Sequence, residues 1–312
     1  MTVCIISHSD CHLHQMPEVA GDRHPECAER LGAISNQLVS SGLDYVLMHR
    51  DAPEATREQL QRVHTMEYLN ALEARQPQEG LVEVGEDAYL SPDTLLAARR
   101  AAGSAVLGVD MVMHGLAPAV FANVRPPGHH AERGRAMGFC FYNNVAVGAA
   151  HALVEHGLER VAIVDFDVHH GNGTEEIFQE ESRVLFCSSY QDRLFPNTAV
   201  CSERENFISV PLPAVAKGPD FQKAISEYWL PALEKFQPQL IMISAGFDAH
   251  MLDDMSQVSL SEVDYQWVTA QLRAYLDAHE HCRGIVSTLE GGYELGALAR
   301  SAVAHIKALG RL

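Results

Sequence analysis

The sequence predicts an α/β fold: a single three-layer domain over residues 1–312, with a mainly parallel sheet of about eight strands flanked by helices. Three observations carry this expectation. Short β-rich runs alternate with longer helical ones along nearly the whole chain, the pattern of a helix-covered parallel sheet. Most of the short runs are continuously apolar, as in strands buried on both faces. Hydrophobic residues make up 47% and charged ones 21%, enough apolar material for such a core. No linker, repeat or low-complexity tract divides the chain.

In chain order, the first candidate strand is 3–7, followed by a helix over 25–41 with Pro25 suited to its first turn. Strand 45–49 precedes helix 92–114, which Pro92 opens in the same way. Strand 119–123 leads to helix 144–156, and Gly157 suits its exit. Strands 160–167, 184–188 and 206–210 come next, then helix 219–236. Strand 240–245, helix 261–281, strand 284–289 and helix 295–309 complete the series. The densest irregular stretches are 9–24, 125–141, 190–205 and 248–259, each after or near a strand. In open α/β sheets ligands gather outside the carboxyl ends of the strands, so chemistry is sought there. The stretches 9–24 and 190–205 suit a site mouth or a subunit contact in a homo-oligomer.

Composition narrows the classes. With 41 acidic and 23 basic side chains the formal charge is −18, which argues against nucleic-acid binding by counterion release. The same charge suits solubility and attraction of cationic substrates. The seven cysteines are scattered, with no C-x-x-C, so no disulfide framework or cysteine metal site is expected. The start lacks the basic and apolar regions of a signal peptide, and no run approaches a membrane span. A cytoplasmic location is expected.

Four segments carry an excess of ligating and proton-transfer groups: 125–130, 165–173, 244–250 and 289–293. Asp165, Asp167 and His169 alternate at a strand end and are expected to face one side. Carboxylate with imidazole suits zinc or a similar divalent ion. Asp248, from a neighbouring strand end, is the natural third ligand, which leaves a fourth position open for water. Helix capping is the alternative use of such polar groups, and Asn172 or Thr174 suits it. Three acids and two histidines at apolar strand ends are nonetheless costly to bury without a cation. His129 and His130, behind a rigid Pro-Pro-Gly turn, are the candidate acid–base pair. Tyr293, after Gly291-Gly292, is placed to donate a hydrogen bond to an oxyanion.

These segments occur as R-P-P-G-H-H, G-F-C-F-Y-N-N, D-F-D-V-H-H-G-N-G-T, S-A-G-F-D and E-G-G-Y, after an early His24-Pro25-Glu26 and Arg30-Leu31. In that order they resemble the histone deacetylase family of the arginase-like α/β fold, over nearly the whole chain. The resemblance implies zinc held by Asp167, His169 and Asp248. It implies His129 and His130 as the catalytic pair, His130 nearer the general-base role, with Asp165 hydrogen-bonded to His129. Asn172 stands where class I members carry an aspartate, as in class II-like and many bacterial members, so His130 is expected to be less basic. Tyr293 matches the family's transition-state tyrosine, which goes with deacetylase activity. The implied substrate tunnel is walled by Phe139 and Phe195, with the Gly138 carbonyl accepting from the substrate amide and Asp87 at the rim. A potassium ion is implied at the backbone carbonyls of Asp165, Asp167 and His169 and the hydroxyl of Ser188.

The activity so implied is zinc-dependent hydrolysis of an N-acyl amide, foremost an acetylated lysine side chain. An acetylpolyamine amidohydrolase shares these motifs and differs at the tunnel mouth, where an acidic gatekeeper would discriminate. Asp253, Asp254 and Met255 all compete for that place. A non-catalytic acyl-lysine binder is disfavoured by the retention of His129, His130 and Tyr293. An arginase-like dimanganese enzyme is disfavoured because its second metal needs further carboxylates. The compact chain points to a bacterial source.

Overall fold

The computed structural model describes residues 3–19, 21–197 and 204–312. Cys201, Ala20 from the 9–24 loop and residues 198–203 of the 190–205 loop lie outside it. The six described cysteines are free thiols. Among the described residues no helix is long and apolar enough to cross a membrane.

The chain runs through β1 (Cys4–Ser7), α1 (Glu29–Ser40), β2 (Met48–Asp51), α2 (Arg57–Gln61), α3 (Met66–Arg75) and the pair β3 (Val82–Gly85) and β4 (Ala88–Leu90). It continues through α4 (Thr94–Met113), β5 (Ala119–Ala122), α5 (Asn144–Val154), β6 (Val161–Asp165), α6 (Asn172–Phe178), β7 (Val184–Gln191) and β8 (Phe207–Leu212). The last elements are α7 (Gly218–Ala224), α8 (Leu230–Phe236), β9 (Leu240–Ala245), α9 (Glu262–Ala278), β10 (Ile285–Leu289) and α10 (Leu295–Gly310).

The eight apolar runs form one parallel sheet in the order β2-β1-β5-β10-β9-β6-β7-β8. Alternate residues of the inner strands feed opposite layers, which is why those runs are apolar, whereas the edge strand β2, Met-His-Arg-Asp, is largely exposed. In β6, Ala162 and Val164 pack with Ile34, Tyr265 and Ile306 from α1, α9 and α10. Val161 and Ile163 pack on the other face with Val109 and Val145 from α4 and α5. The successive strands β5 and β6 are separated in space by β10 and β9. Connections diverge at that crevice, and the carboxyl ends of all four strands meet there. Ser244 stands beside both Asp165 and Thr288, and Thr288 beside Ala122.

Four departures from the sequence expectation have physical reasons. The 45–49 strand begins later: Gly42 turns the chain at φ 76°, residues Leu43–Val46 form a 3-10 turn, and Tyr45 is 86% exposed. The 160–167 strand ends at Asp165, so Asp167 and His169 lie on the following loop and not in strand alternation. The 219–236 helix is interrupted by a π turn at Ile225–Trp229, just before Pro231, whose ring nitrogen has no hydrogen to donate. The β3–β4 hairpin and the helices α2, α3 and α6 were not expected.

Candidate active site

The loops after β5, β6, β9 and β10 close on one point. His169 Nδ1 lies 3.0 Å from Asp167 Oδ1 and 3.1 Å from Asp248 Oδ2. All three side chains are buried, and their ligand atoms lie within 4.8 Å of one another. The second oxygens of both acids are held by backbone: Gly291 N–H donates to Asp167 Oδ2 at 2.8 Å, and Val168 N–H to Asp248 Oδ1 at 2.9 Å. A Cβ at Gly291 would stand 2.1 Å from Asp248 Oδ2 and 2.6 Å from Asp167 Oδ2, so only glycine allows this approach.

This donor set fits a divalent ion. Two buried carboxylates and one imidazole nitrogen converge, a combination suited to zinc with a fourth position open. The local field demands positive charge there. Burial works against a charged imidazole, yet the hydrogen bonds and charges of Asp167 and Asp248 raise His169 to about 10. Ser188 Oγ, beside Asp165 in register, is buried and has no hydrogen-bond partner among the described residues. An orphaned hydroxyl of that kind fits an oxygen-seeking monovalent cation.

Asp165, expected to face the same side as Asp167 and His169, turns its Oδ2 to His129 Nδ1 at 2.9 Å. His130 Nδ1 lies 2.8 Å from Asn172 Oδ1. The Asn172 amide nitrogen donates to Glu132 Oε1 at 2.8 Å, which fixes its oxygen toward the imidazole. The two histidine rings are 4.0 Å apart, yet their charges differ. Burial would lower His129, but the charges of Asp167 and Asp165 outweigh it and raise it to about 10. His130 is held well below its ordinary value by burial and by His129 and His169.

Several positioning groups were not assigned roles from sequence. Glu290 Oε2 accepts from Gly128 N–H at 2.7 Å and His129 N–H at 3.1 Å, holding the histidine loop. Arg30 donates to the carbonyls of Gly292 and Glu290, and its guanidinium lies 5.0 Å from the centre of the Tyr293 ring. Glu26 accepts from Arg125 Nε and Nη2, each at 2.5 Å, and from Arg30 Nη1 at 3.1 Å, all without solvent exposure. These contacts account for the early H-P-E and R-L segments. Burial alone would raise Glu26, but Arg125, with help from Arg30, pulls it down to about 2.

The sign of the Glu26 effect follows from a folded pKa below the unfolded one. Its stabilisation is complete above the unfolded value near 4.3 and fades as pH falls toward 2, amounting to about 3 kcal/mol. Glu26→Gln should therefore lower the melting temperature strongly at pH 7 and flatten its acid dependence between about pH 5 and 2. Thermal melts of both proteins across that range would show it. Parallel curves would count against the pairing as a stabilising element.

Beside His169 of the Asp167–His169–Asp248 trio lies a cavity of about 140 Å³. Its lining includes His129, His130, His169, Gly291 and Tyr293, with Phe139 and Phe195 as aromatic walls and Asp87 and Met255 also on the surface of the cavity. Phe195 stands edge-on to His130 at 5.1 Å, and Phe139 edge-on to Tyr293 at 6.0 Å. Gly138 sits between the walls at φ 55°, where a Cβ would meet His130 and Phe195 at under 3 Å. Its carbonyl accepts from Cys140 Sγ at 3.2 Å. Asp87 is at the tip of the unexpected β3–β4 hairpin, whose turn carbonyls of Glu86 and Asp87 each accept at 2.9 Å from Gly138 and Phe139 N–H.

Of the three residues competing for the mouth, Met255 lines the cavity. Asp253 does not: it is buried, and its carboxylate accepts from the backbone of Tyr293 at 2.6 Å, Glu294 at 3.1 Å and Met255 at 3.1 Å. It ties the tyrosine loop to the Asp248 loop. Asp254 is exposed and outside the lining.

Comparison with known proteins agrees with this geometry. A sequence profile described as a histone deacetylase domain matches residues 24–309. The histone deacetylase-like amidohydrolase of Pseudomonas aeruginosa is 38% identical over 286 residues, covering 89% of this chain and 74% of that protein. The polyamine deacetylase HDAC10 of Mus musculus is 36% identical over 301 residues, which is 91% of this chain and 44% of that protein. Among solved structures, the HDA15 HD domain superposes with a TM-score of 0.92 at 34% identity, covering 99% of this chain and 88% of that one.

Proposed function

The chain belongs to the histone deacetylase family, and on that premise we propose that it hydrolyses the acyl amide of acetylated lysine side chains, acting as one domain over residues 1–312. The observation that carries the reading is convergence: His169 of the Asp167–His169–Asp248 trio, the histidine pair and Tyr293 all line one cavity walled by two phenylalanines. A narrow aromatic slot of this kind suits the four-carbon stem and acyl cap of a modified lysine.

Asp167, His169 and Asp248 would hold zinc, which when bound supplies Lewis acidity toward the amide carbonyl and the attacking water. His130 is the general base. Its Nδ1–H is committed to the neutral Asn172 oxygen, which leaves Nε2 free to take the water's proton and return it to the departing amine. His129, with Asp165 behind it, carries positive charge beside that transfer. Tyr293 keeps its proton, since desolvation holds its phenol well above the ordinary value, and donates a hydrogen bond to the developing oxyanion. The products are a carboxylate and a free amine. Potassium is proposed at the carbonyls of Asp165, Asp167 and His169, completed by Ser188.

The −18 charge favours a second reading, an acetylpolyamine amidohydrolase. Met255 on the cavity surface favours the first, because a thioether offers a remote ammonium nothing, and the nearby acid Asp253 is spent on backbone. Turnover of an acetyl-lysine peptide should exceed that of N-acetylputrescine. Met255→Glu should shift the ratio of kcat/KM toward the polyamine by about tenfold, the worth of one partly screened charge pair. A wild-type preference for N-acetylputrescine would move the function to polyamines. Failure to cleave either would remove the acetyl assignment.

A further inference from the structure

A second cluster of ligating side chains lies away from the cavity, at the opposite end of the sheet. Helices α4 and α5 lead into β5 and β6, so their carboxyl ends stand at the amino ends of those strands. Asp110 is in the last turn of α4; His151 is near the end of α5 and His156 two residues beyond it. His151 Nε2 and His156 Nε2 each lie 2.8 Å from the same oxygen, Asp110 Oδ1. The three ligand atoms fall within 4.8 Å of one another. We propose that Asp110, His151 and His156 form a second, non-catalytic binding site for a divalent transition ion of the zinc type.

Three features argue for an ion rather than a mere hydrogen-bonded cluster. Both imidazoles present the same nitrogen to one oxygen, so three donors of the chemistry preferred by zinc converge on a point. Ligands of a tetrahedral zinc with bonds near 2.1 Å stand roughly 3.4 Å apart, so each imidazole nitrogen need part from the Asp110 oxygen by only about 0.6 Å. The Asp110 side chain is 37% exposed, which gives an ion entry and the carboxylate room to move. His114, one helical turn after Asp110, adds a third imidazole at the rim, its ring 5.7 Å from that of His156.

Arg62 sets the cost of binding. Its Nη1 lies 3.2 Å from His151 Nδ1, and its other nitrogen contacts Glu155. Without an ion, Arg62 donates to Nδ1 and the His151 proton sits on Nε2, facing Asp110. With an ion on Nε2, that proton must sit on Nδ1, so Arg62 has to give up this contact and keep only Glu155. The arginine therefore competes with the metal while being no ligand itself.

The test is a zinc titration of the full chain by equilibrium dialysis with elemental analysis. Wild type should take two equivalents, one at the trio beneath the cavity and one here. The double variant His151→Gln/His156→Gln should take one, with its metal-free melting temperature and its deacylase turnover unchanged. Gln keeps an amide donor for Asp110, and neither residue touches the cavity. Arg62→Gln should bind the second equivalent several-fold more tightly, an effect that simple loss of packing would not produce. The proposal is overturned if the double variant takes as many equivalents as the wild type. Because binding is counted and not inferred from turnover, the result stands apart from the deacylase reading.

Discussion

Replacing Asp248 with asparagine is expected to cost the chain one equivalent of zinc and at least about 10³-fold in kcat/KM. The estimate follows from several kcal/mol of Lewis-acid stabilisation lost with the ion. The side chain keeps its volume, and its remaining oxygen can still accept from Val168 N–H, so the loop should keep its shape. What disappears is one of the two negative charges that make the point attractive to a cation. Zinc content by elemental analysis and turnover of an acetyl-lysine peptide should fall together. Chelation of the wild type should mimic the variant, and restored zinc should rescue the wild type alone. A variant that turned over normally without that zinc would remove the metal from the mechanism.

Tyr293→Phe should lower kcat by roughly 10²–10³-fold with little change in KM, as expected for loss of one oxyanion donor. The substitution isolates the hydroxyl. The ring face over Arg30 remains, and so does the bond from residue 293 N–H to Asp253. Zinc content should therefore stay at the wild-type level, which separates this variant from Asp248→Asn. An unchanged kcat would mean that the oxyanion is held by other groups and that the tyrosine is packing.

The fold was legible wherever burial on both faces forced an uninterrupted apolar run, and that condition holds for the inner strands of the sheet but not for the largely exposed edge strand β2. The β3–β4 hairpin escaped because much of its support is non-local: its turn carbonyls bond to Gly138 and Phe139, some fifty residues on. Helices α2 and α3 had readable signals in the caps at Thr56 and Thr65, the first a Thr-x-x-Gln box, but their apolar faces are too short to show periodicity. At the site, residues whose own chemistry is distinctive stood out, namely the acids and histidines at strand ends. Glu290 and Glu132 were given no role, and Asp253 was read only as a candidate for the cavity mouth. Each acts by accepting hydrogen bonds from groups that only folding brings near, and no spacing in the chain encodes that. The strand geometry inferred for Asp165, Asp167 and His169 failed for a related reason: the strand stops at Asp165, and the loop beyond it aims the first acid at His129 and the other two residues at each other.

The last strand made is the one in the middle. As the chain leaves the ribosome, β2, β1 and β5 can assemble on one side and β9, β6, β7 and β8 on the other, but the sheet itself stays in two parts until β10 slides between β5 and β9. Such a late, long-range closure is slow and exposes two apolar strand edges while it waits. It also has a protective side. Tyr293 comes four residues after the end of β10, so the proposed oxyanion donor arrives in the same event that unites the sheet, and a nascent chain holding only Asp167, His169 and Asp248 is expected to be unable to cut an amide.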